Sequence, residues 1–127
     1  MSYYQGNDFK KITGGKKGRR RDKRKYELGG PPINTTLAGE EERKIVRTVG
    51  GNTKVKLKRA VYVNVYLPEE KRVRKVKILD VVNVPSNPQL ARSKIIVKGA
   101  VVKTEVGLVK IVSRPGQDGV LNGVLVK

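Results

Sequence analysis

Between Lys10 and Lys25, ten of sixteen side chains are Lys or Arg, and Asp22 is the one acid among them. The cations are Lys10, Lys11, Lys16, Lys17, Arg19, Arg20, Arg21, Lys23, Arg24 and Lys25, and Tyr26 closes the run. The chemistry open to such a run is neutralisation of a polyanion. Guanidinium groups bridge phosphates or stack on bases, while ammonium groups supply point charge. Gly14, Gly15 and Gly18 interrupt the run, and without a Cβ they let backbone come close to a phosphate. A second basic row is Lys54, Lys56 and Lys58, continued by Tyr62 and Tyr66. Alternate residues of a strand project from one face roughly 7 Å apart, near the phosphate spacing of a nucleic-acid strand, and Tyr can stack on a base. An ordinary solvent face is the plainer alternative for that row. Arg72, Arg74, Lys75, Lys77, Arg92, Lys94 and Lys98 add charge without a pattern.

Other chemistry is largely excluded. The 127 residues include no His, Cys or Trp, so there is no thiolate nucleophile, imidazole base, Ser-His-Asp triad or ordinary zinc site. The carboxylates stand singly among bases or in the runs Glu40-Glu41-Glu42 and Glu69-Glu70. Neither arrangement supplies the converging carboxylates of a two-metal nuclease or a glycosidase. Gly14-Gly15-Lys16-Lys17-Gly18 lacks the spacing and the following helix of a phosphate loop. We expect no enzyme, no cofactor, no metal and no small-molecule substrate. No apolar run approaches the ~18 residues of a membrane-spanning helix, and the first 30 residues lack the apolar region of a secretory signal. The expectation is a cytoplasmic protein with no membrane partner. A net charge of +18 and a pI near 10.4 call for a polyanion, with nucleic acid first.

The elements that must carry these residues divide the chain in two. All 20 valines lie at Val46 or later, and the front third cannot bury enough apolar surface to offset its ordering entropy. Residues 1–42 read as a basic extension, disordered or extended when free, and residues 43–127 as the folded domain. Abundant Val, four Ala and frequent Gly and Pro argue for strands. Thr53 to Leu67 reads as one strand with Val55, Leu57, Val61, Val63, Val65 and Leu67 inward and a bend at Arg59. A second strand runs from Lys71 to Val84, its apolar parity switching between Val73 and Val76 as at a β-bulge. Gln89 to Arg92 reads as one helical turn. Lys94 to Lys103, Val106 to Val112 and Val120 to Val126 complete the strands. The fold class expected is all-β, a small β-barrel of about five to six strands with a long basic N-terminal extension.

Four strings carry a family resemblance: ITGGKKGRRRDKRKYELGGPP (12–32), RTVGGNTKVKLK (47–58), NPQLARSKIIVKGAVVKTEVG (87–107) and SRPGQDGVLNGVLV (113–126). In this order and over nearly the whole chain, they resemble the archaeal and eukaryotic small-subunit ribosomal protein family S8e, in its compact archaeal form. The resemblance implies a non-catalytic constituent of the small ribosomal subunit. Its partners would be small-subunit rRNA and neighbouring small-subunit ribosomal proteins. It places Thr13, Gly14, Gly15, the basic run to Lys25, and Tyr26 in an RNA-contacting arm. Arg47, Gly50, Gly51, Asn52 and Lys54 would form a second contact at the barrel, although Gly50-Gly51-Asn52 also reads as a plain tight turn. The rival from another class is an archaeal chromatin or general DNA-architectural protein, equally small, basic and β-rich.

Overall fold

The computed structural model describes residues 3–18 and 20–126; Arg19 of the basic run lies outside the described residues. Ten strands follow one another: β1 (Tyr3–Tyr4), β2 (Leu28–Gly29), β3 (Thr36–Leu37), β4 (Glu42–Arg47), β5 (Thr53–Ala60), β6 (Tyr62–Leu67), β7 (Arg72–Asn83), β8 (Val101–Thr104), β9 (Gly107–Ile111) and β10 (Asn122–Val126). The single-turn helix α1 (Pro88–Arg92) precedes β8, and α2 (Pro115–Asp118) precedes β10. Five strands close a barrel in the order β10-β6-β7-β8-β9, as the valine-rich sequence led us to expect. Only the β10–β6 seam is parallel. The barrel interior is filled by alternate residues of each strand, among them Val63, Val65, Val76, Ile78, Val102, Val109 and Ile111, all buried. Closure leaves these strands no open edge.

A three-stranded sheet, β3-β5-β4, stands beside the barrel and corrects the reading of Thr53 to Leu67 as one strand. Ala60 and Val61 are consecutive and both buried, at 0% and 3% exposure. A straight strand alternates its faces and cannot bury both. The chain therefore turns there, one residue beyond Arg59, and β5 and β6 enter different sheets. The expected bulge is also displaced. Pairing of β6 with β7 runs unbroken from Tyr62–Lys77 to Leu67–Arg72, so Val73 simply faces outward. The irregularities lie against β8, between Ile78 and Asp80 and between Val81 and Asn83. They convert the inward step from two residues to three and bring Val81 and Val84 into the core. Of Lys94 to Lys103, only the end from Val101 is strand; Lys94 and Gly99 have positive φ. The helical turn is α1, with Asn87 Oδ1 accepting from the Gln89 N–H at 3.1 Å and Pro88 in the first turn.

The chain ahead of β4 is tied into this body. β3 pairs in parallel with β5 at Arg59 and Ala60. On its other side, the Leu37 N–H donates to the Lys94 carbonyl at 3.0 Å and the Ile96 N–H to the Thr35 carbonyl at 2.7 Å. Thr35, only 1% exposed, donates its hydroxyl to the Leu57 carbonyl at 2.6 Å. Replacing it by Val keeps the shape and leaves a buried acceptor short of a donor. Thr35→Val is expected to lower stability by about 1–3 kcal/mol in urea unfolding. The fully exposed Ile12, changed to Ala, should leave the transition where it was.

Candidate nucleic-acid interface

The basic run is built on two small local devices. The first is a hairpin. Lys10 bridges Lys16 in antiparallel fashion, the Lys17 N–H donates to the Phe9 carbonyl at 2.6 Å, and the Lys11 N–H to the Gly15 carbonyl at 2.7 Å. Gly14 closes the tip with φ +90°, its N–H donating to the Lys11 carbonyl at 3.0 Å, a conformation that favours glycine. Ile12 and Thr13 at the tip are exposed. The second device is the 3₁₀ turn Lys25–Glu27, which holds β2 against β1. The Gln5 N–H donates to the Glu27 carbonyl at 2.7 Å, and the Tyr4 and Phe9 rings pack 4.7 Å apart, centroid to centroid. The Glu27 carboxylate meets the Arg21 guanidinium at 2.8 Å, and Arg21 also donates to the Tyr26 hydroxyl at 2.9 Å. Arg20, Lys23, Arg24 and Lys25 are exposed.

The second basic region is the hairpin of β4 and β5. Its turn, Val49–Gly51, carries Gly50 at φ +80° and Gly51 at φ +76°, and residues with a Cβ rarely adopt two such conformations in succession. The Thr48 N–H donates to the Asn52 carbonyl at 2.7 Å, and the Asn52 side-chain amide to the Val49 carbonyl at 3.2 Å. Register counted from this turn sets Arg47 opposite Thr53, Val46 opposite Lys54 and Lys44 opposite Lys56. Lys54 reaches Gln117 of α2 at 2.7 Å. Lys58 pairs with Glu42 at 3.3 Å.

The two regions meet. The turn Lys25–Glu27 lies near the turn Val49–Gly51, so the end of the basic run and the glycine turn fall in one region of the surface. The expected continuation of the lysine row into Tyr62 and Tyr66 does not occur, because the corner at Ala60 and Val61 moves both tyrosines to the barrel. Tyr62 instead lies under the Lys75 ammonium, 4.8 Å from its ring centroid. Of the unpatterned cations, Arg74 pairs with Glu70 at 3.3 Å, and Lys94 bonds Asp80. The ammonium of Lys94 and the Val81 N–H hold the Asp80 carboxyl below the usual range. Lys44 is a residue that sequence reading passed over. Its signal was the β-branched pair Ile45-Val46 between basic residues ahead of a glycine turn, the mark of a hairpin whose register can be counted.

Twice, at Lys10–Lys16 and at Lys44–Lys56, lysines stand directly opposite across an antiparallel pair. Directly opposed like charges destabilise a sheet. An anion laid between them turns that cost into an attraction. Among the described residues, no group of three or more acids is placed to hold a metal ion.

The family model for ribosomal protein S8e matches residues 4–126. The chain is similar to the small ribosomal subunit protein eS8 of Staphylothermus marinus, 61% identical over 127 residues that cover 100% of this chain and 99% of the relative. The proteins of that name from Sulfurisphaera tokodaii and Sulfolobus acidocaldarius are 54% and 53% identical, with the same coverage.

The hydrogen bond and charge of Arg21 hold the Glu27 carboxyl below the usual glutamate range. The contribution of this pair is therefore fully present above the unfolded-state value and is lost as pH falls through the lowered one. In a carboxyl-carbon NMR titration, Glu27 should titrate below an unpaired glutamate. In Arg21→Gln it should move back up.

Proposed function

The chain belongs to the ribosomal protein S8e family, and we propose that it serves as a structural, non-catalytic constituent of the small ribosomal subunit, bound to small-subunit rRNA. Its place of work is then the ribosome, in the cytoplasm. The opposed lysine pairs carry this reading, since one polyanion makes both favourable at once. The relatives named as small ribosomal subunit proteins favour rRNA over DNA as that polyanion.

Of residues 1–42, the part ahead of β3 acts as the extension, and the run from Lys10 to Lys25 follows the RNA backbone. Lys and Arg neutralise phosphates and displace counterions. The hairpin tip at Thr13, Gly14 and Gly15 presents backbone to the RNA, and Tyr26 offers a ring for a base or sugar. Arg47, Gly50, Gly51, Asn52, Lys54 and Lys56 form the second contact, with Lys58 joining when Glu42 yields it. The folded body, the barrel of β6 to β10 with the sheet β3-β5-β4 beside it, fixes where these groups stand. Recognition of this kind reads shape and backbone rather than base sequence.

With about 8 phosphates contacted, the slope of log affinity against log salt should be about −6 to −7, at ~0.7–0.9 per phosphate. Deleting residues 1–25 should leave the barrel folded by circular dichroism and weaken binding to a small-subunit rRNA fragment severely. With Arg47, Lys54 and Lys56 remaining, the slope should fall to about −2 to −3. Filter binding across a salt series reads both quantities. A truncated chain that binds as tightly as the full one would remove the arm from the mechanism.

A further inference from the structure

The outer wall of the barrel carries an apolar groove where β7, β6 and β10 lie side by side. The register sets Val73 opposite Tyr66, and Tyr66 opposite Val124. Val112 follows at the next position, its N–H donating to the Asn122 carbonyl at 2.9 Å. Val73 is 63% exposed, Val112 47% and Tyr66 40%. The groove encloses about 210 Å³, and no ionisable carboxylate or cation lines it. Its polar margin is the amide pair of Asn64 and Asn122, 3.1 Å apart. Folding does not call for these apolar side chains, because the barrel core is filled from the opposite faces of the same strands. Two cations flank the groove: Lys75, two residues along β7 from Val73, and Lys110, opposite Val124.

A phosphate backbone gains nothing from an apolar floor. A second copy of the chain is disfavoured by +18 on each partner. A groove of this size also supplies a small part of the ~1,200 Å² that a stable pair buries. A neighbour already held on the same RNA needs no such area, because its effective concentration at the groove is high. An aliphatic or aromatic anchor would cover the floor, and acidic flanks would face Lys75 and Lys110. We propose that this groove docks an apolar anchor flanked by acidic residues from a neighbouring protein of the small subunit. The proposal rests on the reading of the chain as a small-subunit constituent.

The test uses full-length chains with a photo-cross-linking side chain, Tyr66→p-benzoylphenylalanine in one and Ile12→p-benzoylphenylalanine in another. Each is assembled into small subunits and irradiated. The probe at position 66 should give a ribonuclease-resistant adduct to another protein, with Asp or Glu within a few residues of the attached one by mass spectrometry. The probe at position 12 should give an RNA adduct. Adding Val73→Glu to the first chain should lower its adduct yield about tenfold with an unchanged circular dichroism spectrum. An adduct to RNA or to a second copy of the chain, a peptide without acids, or no adduct at position 66 while position 12 marks RNA, overturns the proposal. If neither chain co-sediments with small subunits, the small-subunit reading fails, and the proposal with it.

Discussion

Twenty-nine cations against eleven carboxylates cannot be neutralised within one chain, and the structure is arranged around that surplus. The barrel core takes none of it, being filled by Val, Ile, Leu and Ala. Unpaired charge in such a core would cost several kcal/mol, so closure on valine forces every cation outward. The few acids are then spent at corners. Glu41 and Glu42 hold Arg43, Lys58 and Arg59 where β4 begins. Glu70 holds Arg74 at the turn between β6 and β7. Asp80, at the irregularity in β7, ties down Lys94 beside β3. The cations outside these pairs are divided between the N-terminal hairpin and the hairpin of β4 and β5 on one side and the outer wall of the barrel, with Arg72, Lys75, Lys77 and Lys110, on the other.

Barrel closure and edge protection are linked to the same surplus. Five strands have no free edge, and β3 is covered by β5 on one side and by the chain at Lys94 to Ile96 on the other. Within the three-stranded sheet, β4 is the edge left open. It carries Arg43, Lys44 and Arg47, charges that discourage pairing with a strand of another chain. The side chains that keep the free protein from aggregating are thus neighbours of those proposed to meet RNA.

The fold class could be read from the sequence because valine placement and period-two alternation are local properties. Val63, Val65 and Leu67 face inward as their spacing indicates, and the helical turn read over Gln89 to Arg92 is α1, which starts one residue earlier. What alternation does not carry is the partner of a strand. Thr53 to Leu67 looks like one element because Val55, Leu57, Val61, Val63 and Val65 keep one parity. Arg59, which interrupts that row, marks a bend one residue early, but it does not say that the chain leaves one sheet for another, which shows only in the burial of both Ala60 and Val61. Val73 misled for the opposite reason: it is apolar and outward, so parity placed a bulge four strand positions too early, before the step at Ile78 and Asp80. In the candidate interface, composition revealed the basic run and the glycine turn. It could not bring Lys25–Glu27 near Val49–Gly51, which depends on contacts across more than twenty residues.

The Arg21–Glu27 pair shows how such a surface can exist before its partner arrives. Arg21 spans Glu27 and Tyr26 from an exposed position, while the Glu27 side chain beneath it is only 12% exposed. An anion can then meet the exposed face of Arg21 while the pair itself stays made. Meanwhile the pair keeps the 3₁₀ turn closed and Tyr26 presented. Lys58 stands in the same relation to Glu42. Bound carboxylates of this kind hold cations in place without neutralising the region, and every side chain already ordered is one that binding need not immobilise. A basic segment wholly without local structure would bear that ordering cost along its whole length. The Lys10–Lys16 hairpin and the Glu27 turn remove part of it in advance.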